Sequence, residues 1–284
     1  MRKILAAGIG VLALAAAMQP AAAADLPRKA PVYKAPPVYV DPWSWTGVYV
    51  GLNAGYSWGR SNTDAAFTTG AAVLFAANNS FNLNGWLGGG QIGANWQTGN
   101  WVLGIEADIQ ATGQKGGFDF VCPTGICAAP FGVIALFPGG PVTASLNQRL
   151  QWFGTVRGRA GVTVTPTVLA YVTGGLAYGE LKSDLLVSGT NAGVAASAAF
   201  SSSTTKAGWT VGAGLEGRLG GNWTAKIEYL YVDLGSVAVG PFVTPIVAIG
   251  GAPLAVNLNS RITDNILRVG VNYKFGPGPV RAAY

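Results

Sequence analysis

In the segment WVLGIEADIQ, residues 101–110, every second residue is apolar, and from Ile105 onward these residues alternate with polar ones; this pattern determines the fold. The apolar members are Trp101, Leu103, Ile105, Ala107 and Ile109, and the polar members are Glu106, Asp108 and Gln110. Successive side chains of a β-strand point to opposite faces. A carboxylate facing lipid is very costly, so Glu106 and Asp108 must point inward if the strand crosses a membrane. The stretch therefore predicts a strand with an apolar outer face and a charged inner face.

The same period of two recurs along the rest of the chain. The other segments that show it are 45–58, 82–97, 149–162, 168–181, 207–219, 223–234 and 261–275. In the segment 149–162, the alternation places Leu150 and Trp152 on the outer face and Arg149 and Gln151 on the inner face. Eight alternating segments without helical periodicity indicate an all-β protein.

The connections between these segments alternate in length. Residues 98–100, 163–167 and 220–222 are short, whereas 59–81, 113–147, 182–206 and 235–260 each exceed twenty residues. Short periplasmic turns and long external loops are typical of outer-membrane barrels. We therefore predict an eight-stranded antiparallel up-and-down transmembrane β-barrel with both termini in the periplasm. We also expect some residues of the long connections to extend the hairpins beyond the membrane.

A helical membrane protein does not fit the sequence. The mean hydropathy is positive, at +0.34, yet the most apolar stretch, 236–256, is interrupted by Pro241, Pro245 and Pro253. Proline breaks a helix because it lacks an N–H donor and its ring clashes with the preceding turn. Positive hydropathy without an uninterrupted apolar helix is what lipid-facing strands produce.

The N-terminus predicts export. Arg2 and Lys3 precede an apolar run that ends in small residues, which is typical of a secretory signal peptide cleaved between Ala24 and Asp25. We divide the chain into a signal peptide at 1–24, a proline-rich periplasmic leader at 25–44, a barrel at 45–275 and a short tail at 276–284. The mature chain has 16 basic and 12 acidic residues, since only Arg2 and Lys3 are removed, and this net charge of +4 does not indicate nucleic-acid binding.

Tryptophans mark two levels along the predicted strands. Trp96, Trp101 and Trp223 flank the short turns, and Trp58, Trp86, Trp152 and Trp209 lie near the long connections. Aromatic residues concentrate at both membrane interfaces. The sequence therefore predicts two aromatic girdles.

The inward-facing positions carry charges of both signs. The predicted lumen charges are Glu106, Asp108, Arg157, Arg159, Glu216, Arg218, Lys226, Glu228 and Arg268. They allow two interpretations, a polar path for solutes or a plug of ion pairs that satisfy one another. About eight strands leave an interior only wide enough for side chains, which favours the plug.

Residues typical of catalysis or cofactor binding are scarce. The chain contains no histidine, so we predict neither an enzyme nor a metal site, and we predict no cofactor. Cys122 and Cys127 are the only cysteines, and export favours a disulfide between them. The glycine patterns at 88–93 and 212–217 match a dinucleotide-binding motif but lie in alternating strands, where glycine permits close packing.

Several stretches resemble the small porin-like outer-membrane β-barrel proteins of alphaproteobacteria, relatives in architecture of the OmpA transmembrane domain. They include WTGVYVGLNAGYSWG at 45–59, WFGTVRGRAGV at 152–162, NWTAKIEYLYVDLG at 222–235 and LRVGVNYKF at 267–275. The resemblance implies an abundant surface antigen, integral to the outer membrane and folded by the outer-membrane assembly machinery. The last strand resembles the assembly signal of this group, through Val269, Val271, Tyr273 and Phe275.

Three functions follow as hypotheses. The first is a structural and surface-interaction role in the cell envelope, with outer-membrane lipid and lipopolysaccharide as partners. The second is a narrow porin-like channel for small solutes. The third is binding of a haem-like ligand or a host surface through the external loops, whose partner the sequence does not identify.

Overall fold

Eight antiparallel strands follow one another around a closed barrel. The computed structural model of the protein describes residues 43–69, 72–122, 142–191, 194–247 and 253–276. The strands are β1 Gly47–Thr69, β2 Ala72–Thr98, β3 Trp101–Cys122, β4 Val142–Thr165, β5 Val168–Asn191, β6 Val194–Gly220, β7 Trp223–Val247 and β8 Pro253–Phe275. Closure occurs where Val48 of β1 lies opposite Phe275 of β8. The predicted fold class is confirmed, and none of the described residues forms a helix able to cross a membrane.

The strands are longer than a membrane crossing requires. They contain 22 to 27 residues, whereas a tilted membrane strand needs about 9–11. The predicted long connections are therefore wrong in extent, because most of their residues continue the strands; β1, for example, runs on to Thr69 and β2 begins at Ala72. The expectation that hairpins extend beyond the membrane is confirmed. The predicted short turns are confirmed at 99–100, 166–167 and 221–222.

An exposed apolar band surrounds the barrel next to the short turns. Large side chains such as Leu52, Ile105 and Leu176 are more than half exposed there. Two levels of exposed tryptophan bound the band, with Trp86 and Trp209 at one edge and Trp96, Trp101 and Trp223 at the other. Only ten residues separate Trp86 from Trp96 on β2, which matches one membrane crossing. The predicted girdles are confirmed, and the band is the membrane-spanning zone.

Beyond the outer girdle the polarity of the wall reverses. Leu83, Leu146 and Leu185 are buried inside the barrel, while their neighbours Asn82 and Asn147 are exposed on the outside. A polar outer face around an apolar core is the pattern of a water-soluble sheet. This reversal explains why lipid-type alternation ends in the sequence although the strands continue.

The outer halves of the strands form two sheets. Pairing between β2 and β3 ends at Asn84–Lys115, and pairing between β6 and β7 ends at Trp209–Asp233, while the other neighbours stay paired nearly to their tips. One sheet is therefore β7-β8-β1-β2 and the other is β3-β4-β5-β6. Phe81 meets Phe118 at 5.7 Å between ring centroids across one seam, and Phe200 meets Phe242 at 5.3 Å across the other.

A bulge corrects the predicted facing of β4. The β3–β4 register shifts between Ala111 and Gln114, and the β4–β5 register shifts between Leu150 and Trp152. Leu150 is buried in the core, and Arg149 and Gln151 are exposed. The predicted facing of these three residues is therefore wrong, because an inserted residue exchanges the two faces of a strand.

Several predicted features lie outside the described residues. These are the cleavage site at Ala24 and Asp25, the leader up to residue 42, Cys127 of the predicted disulfide, and the tail from residue 277. Cys122 is the last residue of β3.

Candidate functional site

The lumen within the membrane-spanning zone contains a network of eight buried charged residues. They are Glu106 and Asp108 on β3, Arg157 and Arg159 on β4, Glu216 on β6, Lys226 and Glu228 on β7, and Arg268 on β8. We call this set the lumen network. Each residue has the inward parity of its strand, so β-strand alternation alone turns these side chains toward the barrel axis.

Glu106 is the centre of the lumen network. The Nζ atom of Lys226 donates to both of its carboxylate oxygens, at 2.9 and 2.8 Å. The hydroxyl of Tyr49 donates to Oε2 at 2.7 Å, and the guanidinium of Arg157, which lies directly opposite on β4, donates to Oε1. Arg268 on β8 also donates to Oε1, at 3.5 Å, so Glu106 accepts hydrogen bonds from four strands and connects separate parts of the wall.

Arg157 and Arg268 join Glu106 to the other carboxylates. Arg157 donates to Asp108 at 3.0 Å and to Glu228 at 3.1 Å. Arg268 donates to the same two residues, at 2.9 Å and 2.7 Å. Two guanidinium groups thus share two carboxylates in a cross-linked arrangement, in which each fork of donors contacts more than one acceptor.

Arg159 connects the lumen network to the inner end of the barrel. Its guanidinium donates to Glu216 at 2.7 Å and to the hydroxyl of Tyr49 at 2.7 Å. It also lies over the ring of Tyr171, 3.9 Å from the centroid. Thr224 donates to the second oxygen of Glu216 at 2.6 Å. A cation held against an aromatic face and a carboxylate has little freedom to move.

The lumen network is balanced in charge. It has four acidic and four basic side chains, and those in ion pairs are at most 3% exposed. Removing an ion from water costs several kcal/mol, which only good geometry and additional hydrogen bonds can offset. Each charge of the network has at least one oppositely charged partner, while Asp108 Oδ1, Arg157 Nε, Arg159 Nε and Arg268 Nη1 have no hydrogen-bond partner among the described residues.

Arg218 does not belong to the lumen network, and its assignment to it is corrected. Its Nε atom donates to the carbonyl of Gly221 at 3.2 Å in the nearby turn, and its guanidinium lies 4.7 Å from the ring centroid of Trp43. Arg218 has the inward parity of Glu216, but it lies two residues closer to the periplasmic turn. At that level its side chain reaches the barrel mouth.

The periplasmic mouth is covered by Trp43 and Trp45, which precede β1. Trp45 is 2% exposed and packs with Val102, Leu169 and Tyr171. Its backbone N–H donates to the side chain of Gln97 at 2.8 Å. The two tryptophan rings meet edge to face, 5.8 Å apart. Residues at the junction of predicted leader and barrel therefore cover the inner end of the lumen.

An apolar cluster fills the lumen on the other side of the network. Its members include Leu87, Phe153, Leu230 and Ile266, each at most 1% exposed. Small polar groups are enclosed within it; Asp264, for example, accepts from Ser57 and, at 2.6 Å, from Gln114. The described interior is thus occupied by tryptophans, then by charges, then by an apolar core.

Tyr49 and Tyr171 contact the lumen network, and the sequence analysis did not predict either of them. Both have inward parity, which could have identified them, but a tyrosine also suits a lipid face or a girdle. Their neighbours gave a second signal, because Gly93 and Gly214 lie beneath their rings. A Cβ atom at Gly93 would lie 2.4 Å from the Tyr49 ring, and one at Gly214 would lie 2.6 Å from the Tyr171 hydroxyl.

The remaining predicted residues fall on the outer wall or within strands. Val269, Val271 and Phe275 face outward on β8, where the rings of Tyr273 and Phe275 meet edge to face, 5.2 Å apart. The glycine patterns at 88–93 and 212–217 lie within β2 and β6. Among the described residues, no group of three or more His, Cys, Asp or Glu is arranged to hold a metal ion.

The family model and the curated relatives agree with this architecture. The family model of the outer membrane protein β-barrel domain matches residues 9–275. The 31 kDa outer-membrane immunogenic protein of Brucella melitensis is 38% identical over 239 residues, covering 83% of this chain and 86% of that relative. The 25 kDa outer-membrane immunogenic protein of Brucella abortus is 26% identical over 253 residues, with 89% and 90% covered. Among solved structures, OprG from Pseudomonas aeruginosa has a TM-score of 0.41 at 11% identity, with 81% of this chain and 97% of that chain covered.

Proposed function

The chain belongs to the outer membrane protein β-barrel family, and from this premise we propose that it is a closed structural barrel that presents a surface outside the cell. The lumen network carries the first part of the proposal. Side chains from β3, β4, β6, β7 and β8 meet there with balanced charge and no exposed ion. A wall cross-linked from the inside resists deformation, which suits a role in envelope integrity.

A channel for small solutes is the alternative, and the geometry weighs against it. A solute would have to displace Trp45, separate the ion pairs of the lumen network and then cross the apolar cluster. A buried ion left without its partner costs about 3–5 kcal/mol, and Glu106 alone contacts four basic residues. A channel needs a continuous water-filled path, whereas side chains fill this interior at three successive levels.

Solute entry into proteoliposomes tests this part of the proposal. Vesicles containing the folded protein should swell in an isotonic solution of a small sugar no faster than protein-free vesicles. A vesicle sample with a general porin serves as the positive control. Swelling that rises with the amount of folded protein would make transport the leading function.

The outer sheets carry the second part of the proposal. They project beyond the outer girdle and present polar residues such as Asn78, Asn82 and Ser203 to the outside. Two relatives bear the name outer-membrane immunogenic protein, and this supports exposure of the same region here. We therefore assign surface interaction to the outer sheets themselves.

Labelling of intact cells tests that exposure. In a background with Cys122→Ser and Cys127→Ser, Ser203→Cys should react with a membrane-impermeant maleimide on whole cells. Asn100→Cys, in the short turn between β2 and β3, should react only after the cells are lysed. Equal labelling at both positions on intact cells would contradict the assigned orientation.

We propose no catalytic role. The sequence has no histidine, and the carboxylates of the lumen network are engaged with basic groups, so they are poorly placed to act as a general base. Their arrangement suits stability instead.

A further inference from the structure

Three basic residues lie side by side on the outer wall. Lys115 on β3 is directly opposite Arg149 on β4, and Arg149 is directly opposite Lys182 on β5. All three point outward: Lys115 and Arg149 are exposed, and Lys182 is partly exposed. We call these three residues the basic row.

Such a row is unfavourable by itself. Like charges directly opposite each other on neighbouring strands destabilise a sheet. Asp184 lies 3.8 Å from Arg149 and 4.0 Å from Lys182 in exposed pairs, and Glu180, two residues from Lys182 on the same face of β5, accepts hydrogen bonds from Trp152 and Ser203 rather than from the basic row. Exposed pairs of this kind contribute little, and no described acidic residue forms an ion pair with Lys115. Unlike the balanced lumen network, the basic row has unneutralised positive charge.

The basic row lies immediately beyond the outer girdle. Arg149 is three residues outside Trp152 on β4, and Lys115 is four residues outside Ala111, which pairs with Trp152. At a rise of about 3.4 Å per residue along a tilted strand, this places the charges about 5–10 Å beyond the aromatic level. The headgroup layer on each side of a bilayer is of similar thickness, about 5–8 Å.

A groove on the outer wall connects the basic row to aromatic side chains. It has a volume of about 680 Å³, and Tyr56, Trp86, Lys115 and Arg149 lie along it. Trp86 is 61% exposed and Tyr56 is 44% exposed. The groove thus offers cations at its outer end and apolar aromatic surface toward the membrane.

We propose that the basic row binds the phosphate groups of an outer-leaflet glycolipid, lipopolysaccharide, through its lipid A headgroup. A guanidinium between two ammonium groups matches a phosphate in charge and can donate two parallel hydrogen bonds to it. The aromatic side of the groove accepts the less polar part of the same headgroup. The proposal rests on the outer-membrane location of the barrel and not on whether the lumen conducts.

The test compares binding of purified lipid A by the folded full-length mature protein and its variants in detergent. The principal variant combines Lys115→Gln, Arg149→Gln and Lys182→Gln. Arg60→Gln is the matched control, because Arg60 is also an exposed cation on the outer wall but lies opposite Asn82 and Thr263. Since each basic residue at an anionic membrane surface is worth about 1 kcal/mol, we expect the triple variant to bind about a hundredfold more weakly than the wild type, and the control, which removes one cation outside the groove, to bind at most about fivefold more weakly.

Two further measurements identify the ligand and the role of the row. Dephosphorylated lipid A should bind the wild type as weakly as intact lipid A binds the triple variant. Millimolar inorganic phosphate should not compete, whereas competition at that concentration would indicate a site for free anions and overturn the assignment to lipid. Equal binding of lipid A by wild type and triple variant would also overturn it.

Stability without the lipid separates binding from folding. All three side chains are at the surface, so the triple variant should show the normal gel shift on boiling and unfold at a temperature equal to or above that of the wild type when no lipid A is present. Added lipid A should raise the unfolding temperature of the wild type alone. If the triple variant fails to fold, Arg149→Gln provides the same comparison, and unchanged binding by it would contradict the proposal.

Discussion

Arg157 and Glu106 lie directly opposite each other on β4 and β3, and their side chains meet inside the barrel with no exposed surface. This pair connects the sequence pattern to the proposed function. Both residues follow from simple alternation, and their contact is the start of a network that spans the lumen.

Replacing Arg157 with Leu should destabilise the barrel strongly. The change leaves Glu106, Asp108 and Glu228 with one fewer cation, and breaking a buried ion pair by removing one partner costs about 3–5 kcal/mol. The midpoint of urea unfolding in detergent micelles, followed by the gel shift, measures the effect. Arg60→Leu is the control, because Arg60 is exposed and donates only to the exposed Ser80, at 3.0 Å; a variant of Arg157 as resistant as this control would count against the plug.

Charge balance should matter more than any single residue of the lumen network. Glu106→Gln should destabilise the protein, because it leaves four cations facing three acids. Adding Lys226→Met restores the balance, and the double variant should recover part of the loss, with a coupling of about 0.5–3 kcal/mol. Strictly additive losses in the unfolding midpoints would mean that the two residues do not act through each other.

Gly93→Ala should displace Tyr49 from Glu106. The added Cβ would lie 2.4 Å from the Tyr49 ring and 2.7 Å from the carbonyl oxygen of Ile105, and overpacking of this kind costs about 1–3 kcal/mol. Gly90→Ala on the same strand is the control, since its Cβ would have no neighbour closer than 3.8 Å. Similar unfolding temperatures for the two variants would show that the ring is free to move away.

The core outside the membrane should support the fold as the core of a soluble protein does. Leu83 is fully buried between the outer sheets, and Leu83→Ala should cost about 2–5 kcal/mol through lost burial and a cavity. Leu103, which is 57% exposed on the membrane-facing wall, provides the comparison. A loss in the unfolding midpoint for Leu83→Ala no greater than that for Leu103→Ala would argue against a packed outer core.

The membrane-spanning half of the molecule could be predicted from sequence, because lipid imposes a strict rule on every strand. Residues such as Ile105 and Glu106 can exchange faces only at a very high cost, so their parity determines their position. The same rule located eight of the nine predicted lumen charges. Arg218 was assigned wrongly because parity gives the face of a residue and not its depth.

The outer half could not be predicted because the physical rule changes there. Beyond the girdle, polar residues face out and leucines such as Leu83 face in. A prediction that assumes lipid around the whole strand therefore finds no regular alternation there. The bulge between Leu150 and Trp152 added an uncounted residue, which reversed the facing of Arg149. The basic row was hidden for the same reason, since its three members come together only through strand register.

Single-channel recording in a planar bilayer tests the closed lumen most directly. The folded mature protein, checked by its gel shift on boiling, should insert and give rare or no current steps at moderate voltage, because the lumen network fills the barrel. A variant that replaces Arg157 and Glu106 with alanine, if it folds, should conduct more often than the wild type. Steady openings of uniform size from the wild-type protein would contradict the account and would make the residues of the lumen network selectivity groups of a channel.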